Sequence, residues 1–226
     1  MQILRDLLLA EATGRPTVLL RHAHRGELPP DARHRHVPLT AEGEDAARCL
    51  GSFLPPDRTL LLTHSGTTRT ERTAQLLADG FADAGGECGY FETVRCVGGS
   101  YVHSDEVYLL CRDSDFMQRW FHGLIDTRLL DPPEAAASSL LQMLFDPAVS
   151  NCALPEVGEL YVHVGHDWDI YVVQRALLGA LPWDEPVEFL DGLALVRSAC
   201  SIHGWRNGIR GGLAWPDKTS APEGGA

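Results

Sequence analysis

"TVLLRHAHRGE" (residues 17–27) sets a short apolar run directly before two arginines and two histidines. Val18 to Leu20 read as a buried strand, which puts the cationic knot at its carboxyl end. Two readings compete. Either the strand frays there into a solvated loop, or it delivers a preset charge cluster to an anionic ligand.

Composition narrows the choice. The 226 residues are 44% hydrophobic and 22% charged, enough for a globular core and ordinary for a soluble protein. No apolar stretch approaches the roughly 20 residues that span a bilayer. The opening "MQILRDLLLAEATGR" is interrupted by Asp6 and Glu11 and carries no cleavage-like site. It is read as an amphipathic first helix stopped by Gly14 and Pro16, not as a secretion signal. The 6 cysteines form no CxxC pair, which points to reduced thiols in a cytoplasm and away from thiolate zinc. A net charge of −12 argues against nucleic-acid or membrane partners. Against that balance stand 18 arginines and a single lysine, Lys218. Arginine is the better residue for bidentate recognition of phosphate or carboxylate.

Working outward, short strand-like runs alternate with helical patterns. "TVLLR" (17–21) precedes "LTAEGEDAARCLGSFL", a helix with Thr40 as N-cap and acidic residues in its first turn. "RTLLLTH" (58–64) precedes the helix "TRTERTAQLLADGFADAG", and "YFETVRCV" (90–97) is a third strand. "ELYVHVGH" (159–166) runs into the helix "DIYVVQRALLG", and "LALVRSA" (193–199) is the last strand expected. This alternation predicts a three-layer α/β/α fold with a largely parallel central sheet. The helical runs "SDFMQRWFHGLIDTRLL" and "PPEAAASSLLQMLF" break the rhythm, so 98–155 is read as a helical insertion over the active site. The apolar stripe over 136–145 suits core packing or a homodimer face equally. Residues 1–215 are then a single catalytic domain, and 216–226 a disordered Pro/Gly-rich tail.

In such sheets ligands sit beyond the carboxyl ends of the strands. Arg21 and His22 fall there, with Arg25 close behind; Arg69 follows the second strand; His166 and Asp167 follow the fourth. Cationic groups gathered at one edge repel one another, so a bound anion is their natural counterweight. Nearby helix N-termini add backbone donors suited to phosphate.

These motifs resemble the histidine phosphatase superfamily, whose fold is phosphoglycerate mutase-like. "RHAHR" is similar to its RH-based motif, "PLTAEGEDAARCLG" to the helix that follows, "RTERTAQLL" to its second-arginine helix and "VGHD" to its distal histidine. The resemblance covers about 17–80 and 159–200. It implies a metal-independent, cofactor-free phosphoric monoester hydrolase acting on a small phosphorylated metabolite. His22 would be the nucleophile, forming a phosphohistidine. Arg21, Arg25, Arg69 and His166 would hold the phosphoryl oxygens, and Asp167 would be the general acid. Arg25 and Asp167 resemble the acid-phosphatase branch, whereas mutase-like members take their acid from a glutamate between the motifs, a place Glu106 or Asp105 could fill.

The sequence departs from the family at Ala23, usually glycine, and at Glu27, where acid phosphatases carry proline. The usual Ser-Pro step before the second arginine reads His64-Ser65-Gly66, leaving Ser65 as a candidate phosphate contact and Glu27 as a candidate substrate contact. Three other readings stay open: a mutase or phosphotransferase, a non-catalytic phospho-ligand binder, and a metal-dependent hydrolase. The last rests on His24, His34 and His36, in "HAH" and "HRH", and on the His163–His166 pair of "HVGH", but alternate strand residues point to opposite faces and no carboxylate-rich motif completes a site. Arg72 is read as a salt-bridging helix residue, and Trp168 as a wall of the pocket.

Overall fold

In a computed structural model, which describes residues 2–27, 36–93, 100–145 and 158–215, the apolar run at Pro16–Arg21 is strand β1, buried up to Arg21. It lies inside a sheet, parallel to β4 (Glu159–Gly165) on one side and antiparallel to β5 (Gly192–Arg197) on the other. Both faces are covered, which is why its sequence is continuously apolar and does not alternate. Strand β2 (Thr59–His64) runs parallel to β4, and β3 (Glu87–Thr93) parallel to β2. With β6 (Ser201–Arg206) and β7 (Ile209–Ala214), the described residues form a seven-stranded sheet in the order β3-β2-β4-β1-β5-β6-β7.

Alternate residues of β1 serve opposite layers. Val18 and Leu20 pack with Ile3 and Leu7 of α1 (Gln2–Glu11), Leu50 of α2 (Ala41–Ser52), and Leu77 and Phe81 of α3 (Thr68–Asp83). Leu19 packs in the other core, with Val107 of α4 (Val107–Leu110), Trp120 of α5 (Phe116–Phe121), Leu140 of α6 (Pro133–Phe145) and Val173 of α7 (Asp167–Leu178). The fold is therefore the expected three-layer α/β/α sandwich. The α6 stripe is buried within the chain: Ala136, Ala137, Leu140 and Leu141 belong to this second core. Thr40 caps α2 by accepting from the Gly43 N–H, and Gly179 ends α7 with a φ of 73°, the left-handed conformation that glycine adopts freely.

Three expectations needed revision. The sheet does not end at β5, because β6 and β7 add an antiparallel hairpin. The signal was present as Asn207-Gly208, whose φ values of 53° and 77° suit a two-residue primed turn. The expected long helix over 114–130 is only the short α5, after which Gly123 turns the chain with a φ of 69°. The third strand begins earlier than expected, at Glu87. The expected tail at 216–226 and His34 lie outside the described residues. No helix among the described residues is long and apolar enough to cross a membrane.

Candidate active site

Strand β1 ends between its two neighbours, and its last pairings aim the motif. The Arg21 N–H donates to the Asp191 carbonyl (2.9 Å) and the His22 N–H to the Gly165 carbonyl (3.1 Å). His22 is buried at 3% exposure. Its Nδ1 lies 2.8 Å from the Ala23 carbonyl, and Arg69 Nε donates to its Nε2 across 3.1 Å. An arginine can only donate, so Nε2 is the acceptor nitrogen and Nδ1 carries the proton. Burial first, and then Arg69, push His22 well below the ordinary imidazole range, which keeps that tautomer neutral.

Arg69 comes from the first turn of α3 and is 8% exposed. Its Nη2 lies 3.3 Å from His166 Nδ1, so one guanidinium bridges both imidazoles, whose centroids are 5.4 Å apart at 72°. Burial, followed by the neighbouring Arg25, lowers Arg69 to about 10, so it stays charged at neutral pH. The turn below it is fixed by Thr73, which donates to the Arg69 carbonyl (2.7 Å) and accepts from the Ala23 N–H (3.0 Å).

His166 sits at the N-cap of α7 and is likewise pushed well down by burial and by Arg69. Its backbone N–H donates to Asp169 Oδ2 (2.9 Å), while the other oxygen of this buried carboxylate accepts from Tyr101 OH (2.7 Å). With Nδ1 facing Arg69, Nε2 donates to Ser65 Oγ at 3.0 Å, and Ser65 meets Thr70 Oγ1 at 2.9 Å. Ser65 thus holds His166 from the side opposite Arg69.

Arg21 Nη2 pairs with Asp167 Oδ2 at 3.0 Å, with the arginine side chain 13% and the aspartate 31% exposed. Arg25 is held locally, its Nη1 donating to the Gly26 carbonyl at 2.9 Å, and burial followed by Arg21 lowers its pKa. The structure therefore gathers Arg21, His22, Arg25, Arg69, His166 and Asp167 beyond β1, β2 and β4. Glu106 is exposed at the start of α4, and Glu27 is exposed at the edge of the described residues. His24 turns away: its Nδ1 lies 2.9 Å from Thr40 Oγ1. His163 is also apart, buried in β4 beside Thr63. Arg72 makes a two-pronged contact with Glu44 at 2.8 and 3.0 Å. Among the described residues no cluster of three or more His, Cys, Asp or Glu could hold a metal ion.

Sequence reasoning missed Phe189 and Tyr108. The Phe189 ring lies under the Arg21 guanidinium at 4.1 Å and beside the rings of His22 (5.6 Å) and His24 (4.9 Å). Tyr108, on α4, stacks on Trp168 at 6.4 Å. Neither belongs to a motif; Phe189 reaches the site from the segment between α7 and β5, and Tyr108 from α4.

The fold is phosphoglycerate mutase-like. No family model matches the sequence, and no curated protein matches it. Among solved structures it is similar to Bacillus stearothermophilus YhfR, at 18% identity and a TM-score of 0.60 over 86% of this chain and 97% of that one. A phosphoglycerate mutase from Bacillus anthracis is similar at 14% identity, TM-score 0.56, over 89% and 92%. A mycobacterial glucosyl-3-phosphoglycerate phosphatase in complex with inorganic phosphate is similar at 15%, TM-score 0.54, over 81% and 90%.

Proposed function

We propose that this chain is a cytoplasmic, metal-independent phosphatase of the histidine phosphatase superfamily, hydrolysing a phosphate monoester of a small metabolite through a phosphohistidine on His22. The observation that carries the reading is the Arg69 bridge between His22 Nε2 and His166 Nδ1. A phosphoryl group placed between the rings competes for the same N–H donors. Its oxygens draw the guanidinium off Nε2 and leave that lone pair facing phosphorus. Nδ1, tied to the Ala23 carbonyl, keeps the proton and fixes the ring.

In the first step the phosphoryl oxygens draw Arg21 off Asp167, whose carboxylate takes up the proton of the monoester monoanion. The Nε2 lone pair then forms the P–N bond as the bond to the leaving oxygen breaks, and Asp167 passes that proton to the leaving oxygen. In the second, water passes a proton to the Asp167 carboxylate and its oxygen attacks phosphorus. The P–N bond then breaks and the electron pair returns to His22. Arg21, Arg25, Arg69 and His166 balance the charge on the equatorial oxygens. Asp167 is preferred to Glu106 as the acid because it stands in the cluster beside Arg21, whereas Glu106 is exposed at the start of α4.

The phosphatases and the mutase among the similar structures support phosphoryl chemistry at this edge. The test is phosphate release across sugar phosphates, nucleotides, inositol phosphates and phosphoamino acids. Release is expected with at least one class, and His22→Ala should abolish it. Transfer to an acceptor alcohol exceeding release to water would make the chain a phosphotransferase instead.

A further inference from the structure

The segment between α7 and β5 carries no catalytic motif, yet it closes over β1. Val187 accepts a hydrogen bond from Arg21 Nη1, the Phe189 ring lies beneath the same guanidinium at 4.1 Å, and the Asp191 carbonyl accepts from the Arg21 N–H at 2.9 Å. Leu190, between them, has a φ of 59°, a left-handed conformation unfavourable for leucine that persists only where the surroundings impose it.

Arg206 holds both ends of the segment that contains Leu190. This residue ends β6 and is 3% exposed. Its guanidinium grips both ends of the segment. Nη1 donates to the Glu185 carbonyl (3.2 Å) and to Gln174 Oε1 (2.8 Å); Nη2 donates to the Pro186 carbonyl (2.7 Å) and to Asp191 Oδ2 (2.5 Å). Gln174 returns a bond to the Glu185 carbonyl at 3.2 Å, and the Val187 N–H donates to Tyr171 OH at 3.2 Å. The planar fork of an arginine suits this, because several N–H groups point at once into fixed positions.

We infer that Arg206 is a positioning residue: it staples 185–191 into the loop that sets the Arg21 guanidinium toward the reacting phosphoryl group. This rests on the proposed phosphoryl site and goes beyond it. Arg206 touches no reacting atom; it acts through the Val187 carbonyl and the Phe189 ring. A guanidinium displaced by an ångström loses its contact with charge that develops only in the transition state.

The decisive test is a double-mutant cycle with Arg206→Lys and Arg21→Ala. It is read in kcat/KM for p-nitrophenyl phosphate and in Kd for inorganic phosphate, with folding checked by thermal melting. Arg206→Lys keeps the charge but not the fork, and should lower kcat/KM on the order of 100-fold. In the Arg21→Ala background the same change should cost less than about 3-fold, because the group it positions is gone. Phe189→Leu leaves the staple intact and keeps the test readable if Arg206→Lys does not fold; it should lose about 10-fold, again only when Arg21 is present. Additive losses, or a lower melting temperature with unchanged kcat/KM, would overturn the inference while leaving the functional reading standing. A wild-type chain that neither hydrolyses the ester nor binds phosphate would overturn both. If it binds phosphate without turnover, the cycle is read in Kd, and additivity there overturns the inference as well.

Discussion

Ser65 bonds the His166 nitrogen that Arg69 does not use, so two partners on opposite sides fix one ring. Ser65→Ala leaves that ring held from one side only. Turnover should fall about 5-fold and stability by no more than about 1 kcal/mol, the usual worth of a lost hydrogen bond of this kind. Steady-state phosphate release checks this, and an unchanged rate would mean that His166 is fixed without the serine. At this scale the motif residues Arg21, His22, Arg69 and His166 were legible because each follows a strand of recognisable pattern. Ser65 was legible as a site residue but not in its role, which depends on the His166 ring meeting it from another strand. Phe189 could not be read at all. Its place under Arg21 comes from a loop held by contacts with residues distant in sequence.

The helix pair α2 and α3 sets where Arg69 stands, and glycines make the pair close. A Cβ on Gly80 would collide with the Arg48 carbonyl, and one on Gly51 with the Leu77 carbonyl. The colliding atoms are backbone and cannot rotate away, so the helices must part. Gly80→Ala should destabilise the fold by about 1–3 kcal/mol, the usual cost of overpacking. It should also lower turnover at temperatures where the chain remains folded, because α3 carries Arg69. Urea unfolding together with activity tests this, and a variant with wild-type values in both would show that the contact relaxes freely. Strands and helices with clear periodicity were readable, as the caps at Thr40 and Gly179 illustrate. The β6–β7 hairpin escaped because its strand residues are mixed in polarity and β7 is mostly exposed, although Asn207-Gly208 marked its turn.

Across the whole molecule, the neutral buried histidines tie stability to pH. Burial lowers His163 to about 4, while an unfolded imidazole titrates near 6.5. Below about pH 6.5 the unfolded chain takes up a proton that the folded chain refuses, so stability falls as pH falls and levels off only below about 4. His163 alone should cost about 2 kcal/mol by about pH 5, and the lowered His22 and His166 act in the same direction. Urea midpoints at about pH 7.5 and about pH 5 should show the loss, and His163→Leu should shrink it. A midpoint flat over that range would mean that His163 is not buried neutral.

The central claim is that His22 carries the phosphoryl group. Rapid acid-free quenching of the enzyme during turnover of a labelled ester, followed by peptide mapping, addresses it directly. The expected result is a phosphoenzyme that is labile in acid and stable in base, mapped to His22 and absent from His22→Ala. Turnover with no label on the protein, or label in an acid-stable linkage elsewhere, would contradict the account.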